Sequence, residues 1–171
     1  MKGAMLAMNY DLIVIGSGPA GQKGAIAAAK LGKRVALVER CQESIGGVCL
    51  HTGTVPSKTM REAILYLTGY AQKDVYSDRY NRKRRIRMEE LRKKLNDVIV
   101  QERAVILDQL ERNYVDVYSG NAQFIDPHTV DICGPLPQRI TGDRLLIATG
   151  TRPSRPKHIP FNGRQIFDSD E

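Results

Sequence analysis

The run from Tyr10 to Glu39 limits what this chain can fold into more than any other stretch. Tyr10-Asp-Leu-Ile-Val-Ile15 is apolar almost without interruption, the pattern of a strand covered on both faces of a parallel sheet. Gly16-Ser17-Gly18-Pro19-Ala20-Gly21 follows at once. An alanine-rich helical stretch closed by Gly32 comes next, then a second apolar strand from Arg34 to Val38 that ends on Glu39. Together these make a βαβ unit in which each glycine has its own task. Gly16 permits the tight turn, Gly18 lets backbone approach a diphosphate, and Gly21 lets helix and strand close on each other. The helix N-terminus offers unpaired N–H groups to phosphate, with Ser17, Pro19 and Ala20 completing the loop. Glu39 stands where a carboxylate accepts hydrogen bonds from a ribose, with Arg40 beside it. A glycine triplet alone is weak evidence, but strand, helix and terminal acid in the right order make a dinucleotide site the expected reading. Which dinucleotide stays open on these residues.

Composition narrows the classes. A chain of 171 residues suits one domain, and 42% hydrophobic with 26% charged residues is ordinary for a folded protein, so disorder is not indicated. The net charge of +7 is concentrated between Arg82 and Lys94. Glu89 and Glu90 interrupt that run and no aromatic beyond Tyr80 is interleaved with it, so it reads as a solvated face, not a nucleic-acid contact. Three scattered cysteines, Cys41, Cys49 and Cys133, do not make a secreted disulfide framework, and a reducing cytoplasm is expected. No run approaches membrane-spanning length, and no membrane partner is expected. Residues 1–8 read as a leader or as the lead-in to an alternative start at Met8. No cluster has metal-ligand spacing, and His128 and His158 receive no role.

A second motif, from Gly46 to Lys58, carries the chemistry: Gly-Gly-Val-Cys-Leu-His-Thr-Gly-Thr-Val-Pro-Ser-Lys. Gly46 and Gly47 let backbone approach a flat ligand, and Cys49 follows near an expected helix start, where partial positive charge favours a thiolate. This segment resembles the active-site segment of the FAD-dependent pyridine nucleotide-disulfide oxidoreductases, usually Gly-Gly-Thr-Cys, three residues, then Gly-Cys-x-Pro-Ser-Lys. Thr54 stands where that family has its second cysteine, and His51 where most members have asparagine. Both departures resemble the transhydrogenase branch of the family. The resemblance implies a Rossmann-like α/β domain that binds FAD, with NAD(P) held by a second domain, and a homodimer at full length. A route through a disulfide needs two sulfurs, and a threonine hydroxyl cannot accept electrons from flavin. What remains is chemistry that flavin performs alone, hydride accepted from one reduced nicotinamide and given to a second acceptor, and the resemblance implies that the pair is NADPH and NAD. The alternatives are a related flavin-dependent dehydrogenase, dihydrolipoamide dehydrogenase-like or reducing a quinone, and a flavin-binding module without catalysis. In this frame Lys58 lies beside the flavin and tunes it. His51 is a proton carrier or, preferred, a hydrogen-bonding replacement for the asparagine. Cys49 becomes a remnant of the pair.

Along the rest of the chain, a helix is expected to continue from Glu62 to Tyr70 with Leu65, Tyr66 and Leu67 packed, followed by a loop over 71–87. A long helix over 88–113 has Met88, Leu91, Leu95, Val98, Val105 and Ile106 as its packing stripe. Val115–Tyr118, Ala122–Ile125 and Thr129–Ile132 are expected to form a small meander, and Leu145–Ala148 a further buried strand. In the resembling family, segments matching Asn121-Ala122 and Thr149-Gly150 pass the cofactor. Residues 9–153 then form the first part of an FAD-binding domain, incomplete without a C-terminal part. Residues 154–171 are a connector toward an NAD(P)-binding domain that this chain lacks. The chain by itself is expected to be inactive.

Overall fold

The structure, a computed structural model, describes residues 8–67, 87–134 and 136–170. Its frame is a six-stranded sheet in the order β3-β2-β1-β6-β5-β4. The strands are β1 (Met8–Ile15), β2 (Val35–Glu39), β3 (Asp116–Ser119), β4 (Asn121–Asp126), β5 (Thr129–Cys133) and β6 (Gln138–Ile147). Among the described residues four α-helices accompany them: α1 (Pro19–Lys30), α2 (Gly47–His51), α3 (Thr54–Leu67) and α4 (Met88–Arg112). Strands β3, β2, β1 and β6 run parallel, while β5 and β4 are antiparallel additions beside β6.

Strand β2 explains why apolar residues run without alternation here. Ala36 and Val38 face one core with Tyr10, Ile13, Val130, Ile132 and Ile140. Val35 and Leu37 face another with Val14, Ala25, Leu110 and Val115. The first core lies between the parallel strands and the β5–β6 ribbon, the second between the same strands and helices α1 and α4. The sheet therefore curls over itself into a third layer. At the fold, a side chain on Gly120 would put its Cβ 2.7 Å from Ile132 Cγ2, so the end of β3 lies directly against β5.

The expected three-strand meander is divided by the structure. Strand β3 pairs in parallel with β2, from Ala36 opposite Asp116 to Glu39 opposite Ser119, and leaves β4 and β5 to pair with each other. Side-chain chemistry fixes β3 there. The hydroxyl of Tyr10, on β1, donates to Asp116 Oδ2 at 2.8 Å and lies 2.6 Å from the Tyr118 hydroxyl. The two tyrosine rings meet edge to face at 6.3 Å, and the Arg34 guanidinium sits 4.9 Å from the Tyr10 ring. Burial, then the bonds to Tyr118 and Asp116, push the Tyr10 hydroxyl well above its ordinary range, so it stays a donor. Strand β6 begins at Gln138, not at Leu145. Its polar first half pairs with β5 while its length pairs with β1, so only its apolar end carried a strand pattern.

Helix α4 docks through Leu110, wholly buried, and Ile106. Two members of its expected stripe are corrected: Met88 is 55% exposed and Val105 46%. Val105 adjoins Ile106, and one residue is about 100° of helical rotation, so both cannot face the sheet. On α3, Tyr66 is likewise exposed rather than packed. The expected continuation to Tyr70 and the loop over 71–86 lie outside the described residues, as does much of the basic run.

No helix among the described residues is long and apolar enough to cross a membrane. Beyond Ile147 the described chain has no helix or strand. The stretch after Pro153 is nonetheless tied to itself: Arg155 Nε donates to Asp168 Oδ2 at 2.5 Å, and Asn162 Oδ1 accepts from the amides of Arg164, Gln165 and Ile166.

Candidate functional site

The parallel strands β1, β2 and β6 end on one edge, and the candidate residues gather at that edge. At the turn after β1, a Cβ on Gly21 would lie 1.9 Å from the Gly16 carbonyl oxygen, and a Cβ on Gly16 2.4 Å from the Ala148 oxygen. These two glycines are required by packing alone. Gly18 differs: a Cβ there would meet nothing within 4 Å. It is the N-cap of α1, with no side chain capping the helix, and Pro19 follows at the first position. The first N–H groups of a helix have no acceptor within it, so the turn presents donors and open space together. Pro19 and Ala20 are exposed at this point.

Glu39 is nearly buried at 9% exposure. Its Oε2 accepts from the Ser17 amide at 2.9 Å and the Ser17 hydroxyl at 2.6 Å, and its Oε1 from the Arg40 amide at 2.9 Å. A carboxylate offers about four acceptor positions, so one remains on Oε1 for an incoming hydroxyl. Ser17 is wholly buried, and its side chain reaches protein groups: besides donating to Glu39 it accepts from the Gly46 amide at 3.2 Å. The Arg40 side chain is exposed. Asn121 and Ala122 are brought beside Glu39 because the Gly120 amide donates to the Glu39 carbonyl at 2.8 Å. Thr149 and Gly150 flank the glycine turn, since Ala148 N bonds to the Ile15 carbonyl and a Cβ on Gly16 would lie 3.2 Å from Thr149 Cα.

The second motif closes over the first. Gly46 and Gly47 have φ of 103° and 63°, conformations that favour glycine, and a Cβ on Gly47 would stand 2.9 Å from Gly18 Cα. Helix α2 begins there and carries half-buried Cys49. The chain then tightens at Gly53, whose amide donates to the Val48 carbonyl at 2.6 Å and whose Cβ would lie 2.8 Å from that oxygen. This joint brings Thr54 Oγ1 to 3.4 Å from Cys49 Sγ. His51 Nε2 lies 2.9 Å from the Ile45 carbonyl. A carbonyl only accepts, so Nε2 carries the proton and the ring braces the residue before the glycine pair.

Lys58 is exposed on α3, and with Glu62, Tyr66, Glu90, Lys94 and Asp97 it lines an open cleft of about 860 Å³ between α3 and α4. That cleft is lined by these two helices and not by the glycine turn. Among the described residues no group of three or more His, Cys, Asp or Glu is placed to hold a metal ion.

Two contributors escaped the sequence. Ile45, 1% exposed, supplies the carbonyl that His51 grips, and Gly53 sets the spacing of Cys49 and Thr54. The glycine that follows α2 was a signal for the second; nothing in the sequence marked the first.

This arrangement has known counterparts. The model of the pyridine nucleotide-disulphide oxidoreductases matches residues 10–170. The chain is 51% identical over 165 residues to a soluble pyridine nucleotide transhydrogenase of Mycobacterium tuberculosis (strain ATCC 25177 / H37Ra), covering 95% of this chain and 35% of the relative. It is 38% identical over 164 residues to one of Escherichia coli O9:H4 (strain HS), with the same coverage. The chain thus spans about a third of the length of the curated relatives it matches. Among solved structures, the HOCl-induced flavoprotein disulfide reductase RclA from Escherichia coli, as its Cu(II) complex, superposes with a TM-score of 0.69 at 28% identity, covering 87% of this chain and 30% of that one. By the match over nearly its whole length, the chain belongs to the pyridine nucleotide-disulphide oxidoreductase family.

Proposed function

We propose that this chain is the FAD-binding portion of a flavoprotein oxidoreductase that moves hydride between NADPH and NAD without a redox-active disulfide. The observation that carries the reading is Thr54 Oγ1 at 3.4 Å from Cys49 Sγ, an oxygen where disulfide exchange needs a second sulfur. The relatives named transhydrogenases point the same way.

The residues present fit the dinucleotide. The open space at Gly18 and the uncapped start of α1 suit a diphosphate, with Ser17, Pro19, Ala20 and Gly21 shaping the loop. The vacant position on Glu39 Oε1 suits a ribose hydroxyl, and Arg40, Asn121 and Ala122 lie toward the adenine end. Gly46, Gly47 and Cys49 are assigned to the flavin end, Thr149 and Gly150 to the side near Gly16, and Lys58, which lines the cleft between α3 and α4, acts by charge rather than contact. Bound FAD supplies the chemistry, taking hydride from one nicotinamide and giving it to another. Lys58 contributes positive charge that favours reduced flavin. His51, with Nε2 engaged by Ile45, orients the glycine pair rather than carrying protons. The nicotinamide nucleotides bind a domain outside this chain, and the complete protein is a cytoplasmic homodimer.

A chimera tests the whole reading. This chain replaces the matching third of the Mycobacterium tuberculosis relative, and hydride transfer from NADPH to thio-NAD is compared with turnover of dihydrolipoamide and a soluble quinone. Fast thio-NAD reduction with negligible turnover of the other two is expected. Faster quinone or dithiol turnover refutes the assignment.

A further inference from the structure

We propose that Ser17 is a positioning residue that couples capture of a ligand's ribose by Glu39 to the placement of the Gly46–Gly47 turn. The inference rests on the reading of this edge as a dinucleotide site and adds to it a role for a side chain that never meets the ligand.

Ser17 is a fully buried hydroxyl with partners on two different segments. It has one proton, given to Glu39 Oε2 at 2.6 Å, and it accepts from the Gly46 amide at 3.2 Å. The direction is therefore fixed, from the Gly46 N–H through the Ser17 O–H to the Glu39 carboxylate. Hydrogen bonds in such a series polarise one another, and the end on an ionised group is the strong one. Oε2 is already doubly occupied, by the Ser17 amide and hydroxyl, while Oε1 holds only the Arg40 amide. A ribose hydroxyl thus arrives on Oε1 and draws charge toward that oxygen. Oε2 becomes a weaker acceptor, the Ser17 hydroxyl polarises less, and its hold on Gly46 relaxes. The other side of the same turn is gripped independently by His51 on the Ile45 carbonyl at 2.9 Å. The turn that leads into α2 and Cys49 has one fixed tether and one that responds to the adenosine end.

The test uses the ¹⁵N-labelled chain titrated with ADP and with 2′,3′-dideoxy-ADP, which carry the same diphosphate and differ in the ribose hydroxyls. Both nucleotides are expected to shift the Gly18 and Gly21 amides, and only ADP to add a shift at Gly46. In Ser17→Ala the Gly18 and Gly21 responses persist and the ADP-specific shift at Gly46 is lost. Equal Gly46 shifts with both nucleotides in the unaltered chain overturn the coupling, and that comparison stands even where the variant does not fold. A variant whose Gly46 still distinguishes the two ligands also overturns it. Absence of any response at Gly18 and Gly21 in the unaltered chain refutes the dinucleotide reading itself.

Discussion

Alanine at Gly18 and alanine at Gly21 should fail in opposite ways, although both disrupt the same glycine triplet. At Gly21 the new Cβ would stand 1.9 Å from the Gly16 carbonyl oxygen and 3.3 Å from Val14 Cγ1. The nearer atom is backbone, so relief requires moving α1 away from β1, which opens the core holding Val14, Ala25 and Leu37. Overpacking costs about 1–3 kcal/mol when side chains can yield, and a backbone clash belongs at or above the top of that range. At Gly18 the Cβ meets nothing within 4 Å, and φ of −65° is ordinary for alanine. Alanine is a poorer N-cap than glycine by roughly 0.5–1 kcal/mol, and the lower entropy of its unfolded chain returns about 0.4–1 kcal/mol, so stability should stay within about 1 kcal/mol of the unaltered chain. The methyl instead fills the space offered to a diphosphate, and ADP affinity should fall by roughly a hundredfold, about 2.7 kcal/mol. Urea unfolding followed by circular dichroism and ADP titration by calorimetry give the two readouts. Gly18→Ala unfolding as early as Gly21→Ala, or binding ADP as the unaltered chain does, refutes the division of labour.

Further outcomes follow from other contacts. Thr54→Cys should form a disulfide with Cys49 under mild oxidation, lowering titratable thiols from four to two, because the present side chains already stand 3.4 Å apart; closing a loop of about six residues limits the gain in stability to roughly 2 kcal/mol. Leu110→Ala, at a wholly buried site between α4 and the sheet, should cost about 2–5 kcal/mol by denaturant unfolding, whereas Val105→Ala, largely exposed, should stay within about 1 kcal/mol. The Asp131 carboxyl is held below the ordinary carboxylate range by its two hydrogen bonds with Arg139, so its share of stability is present above the unfolded pKa and fades as pH falls through the lowered folded value. In Arg139→Gln, an NMR titration should find the Asp131 pKa moved back up; an unchanged value would remove Arg139 as the cause.

How much of this was legible depends on whether a residue's role is local. The βαβ unit was readable because its constraints are contiguous: a strand buried on both faces, glycines where backbones touch, and an acid at the next strand's end. The placement of β3 was not, because the decision is made by Tyr10, which reaches Asp116 and Tyr118 more than a hundred positions away. Without that link, three short strands in succession read as a meander. The first half of β6 was hidden for a related reason: Gln138 and Arg139 carry no apolar pattern, and Arg139 is a strand residue through its opposite neighbour Asp131. At the site, the residue types were legible and their partners were not. Ser17 read as a phosphate-loop residue, yet its hydroxyl is committed to Glu39 and Gly46.

The joint between α2 and α3 has a use that does not depend on sulfur. Gly53 is pressed against the Val48 carbonyl, and Pro56 is buried, so the two helices meet closely with threonine at position 54. A hydroxyl 3.4 Å from a thiol contributes little energy that could account for this closeness; backbone packing at Gly53 sets it. The same packing fixes the start of α3, and therefore Lys58 one turn further on, relative to the Gly46–Gly47 turn. Positioning for a flat cofactor and capacity for disulfide exchange are thus separable in this scaffold, the first residing in glycines and backbone bonds, the second in a single side chain. Thr54→Cys probes that separation directly: it should add the disulfide while leaving the amide resonances of Gly46, Gly47 and Lys58 near their original positions. Large shifts at those amides would mean that the threonine itself shapes the joint.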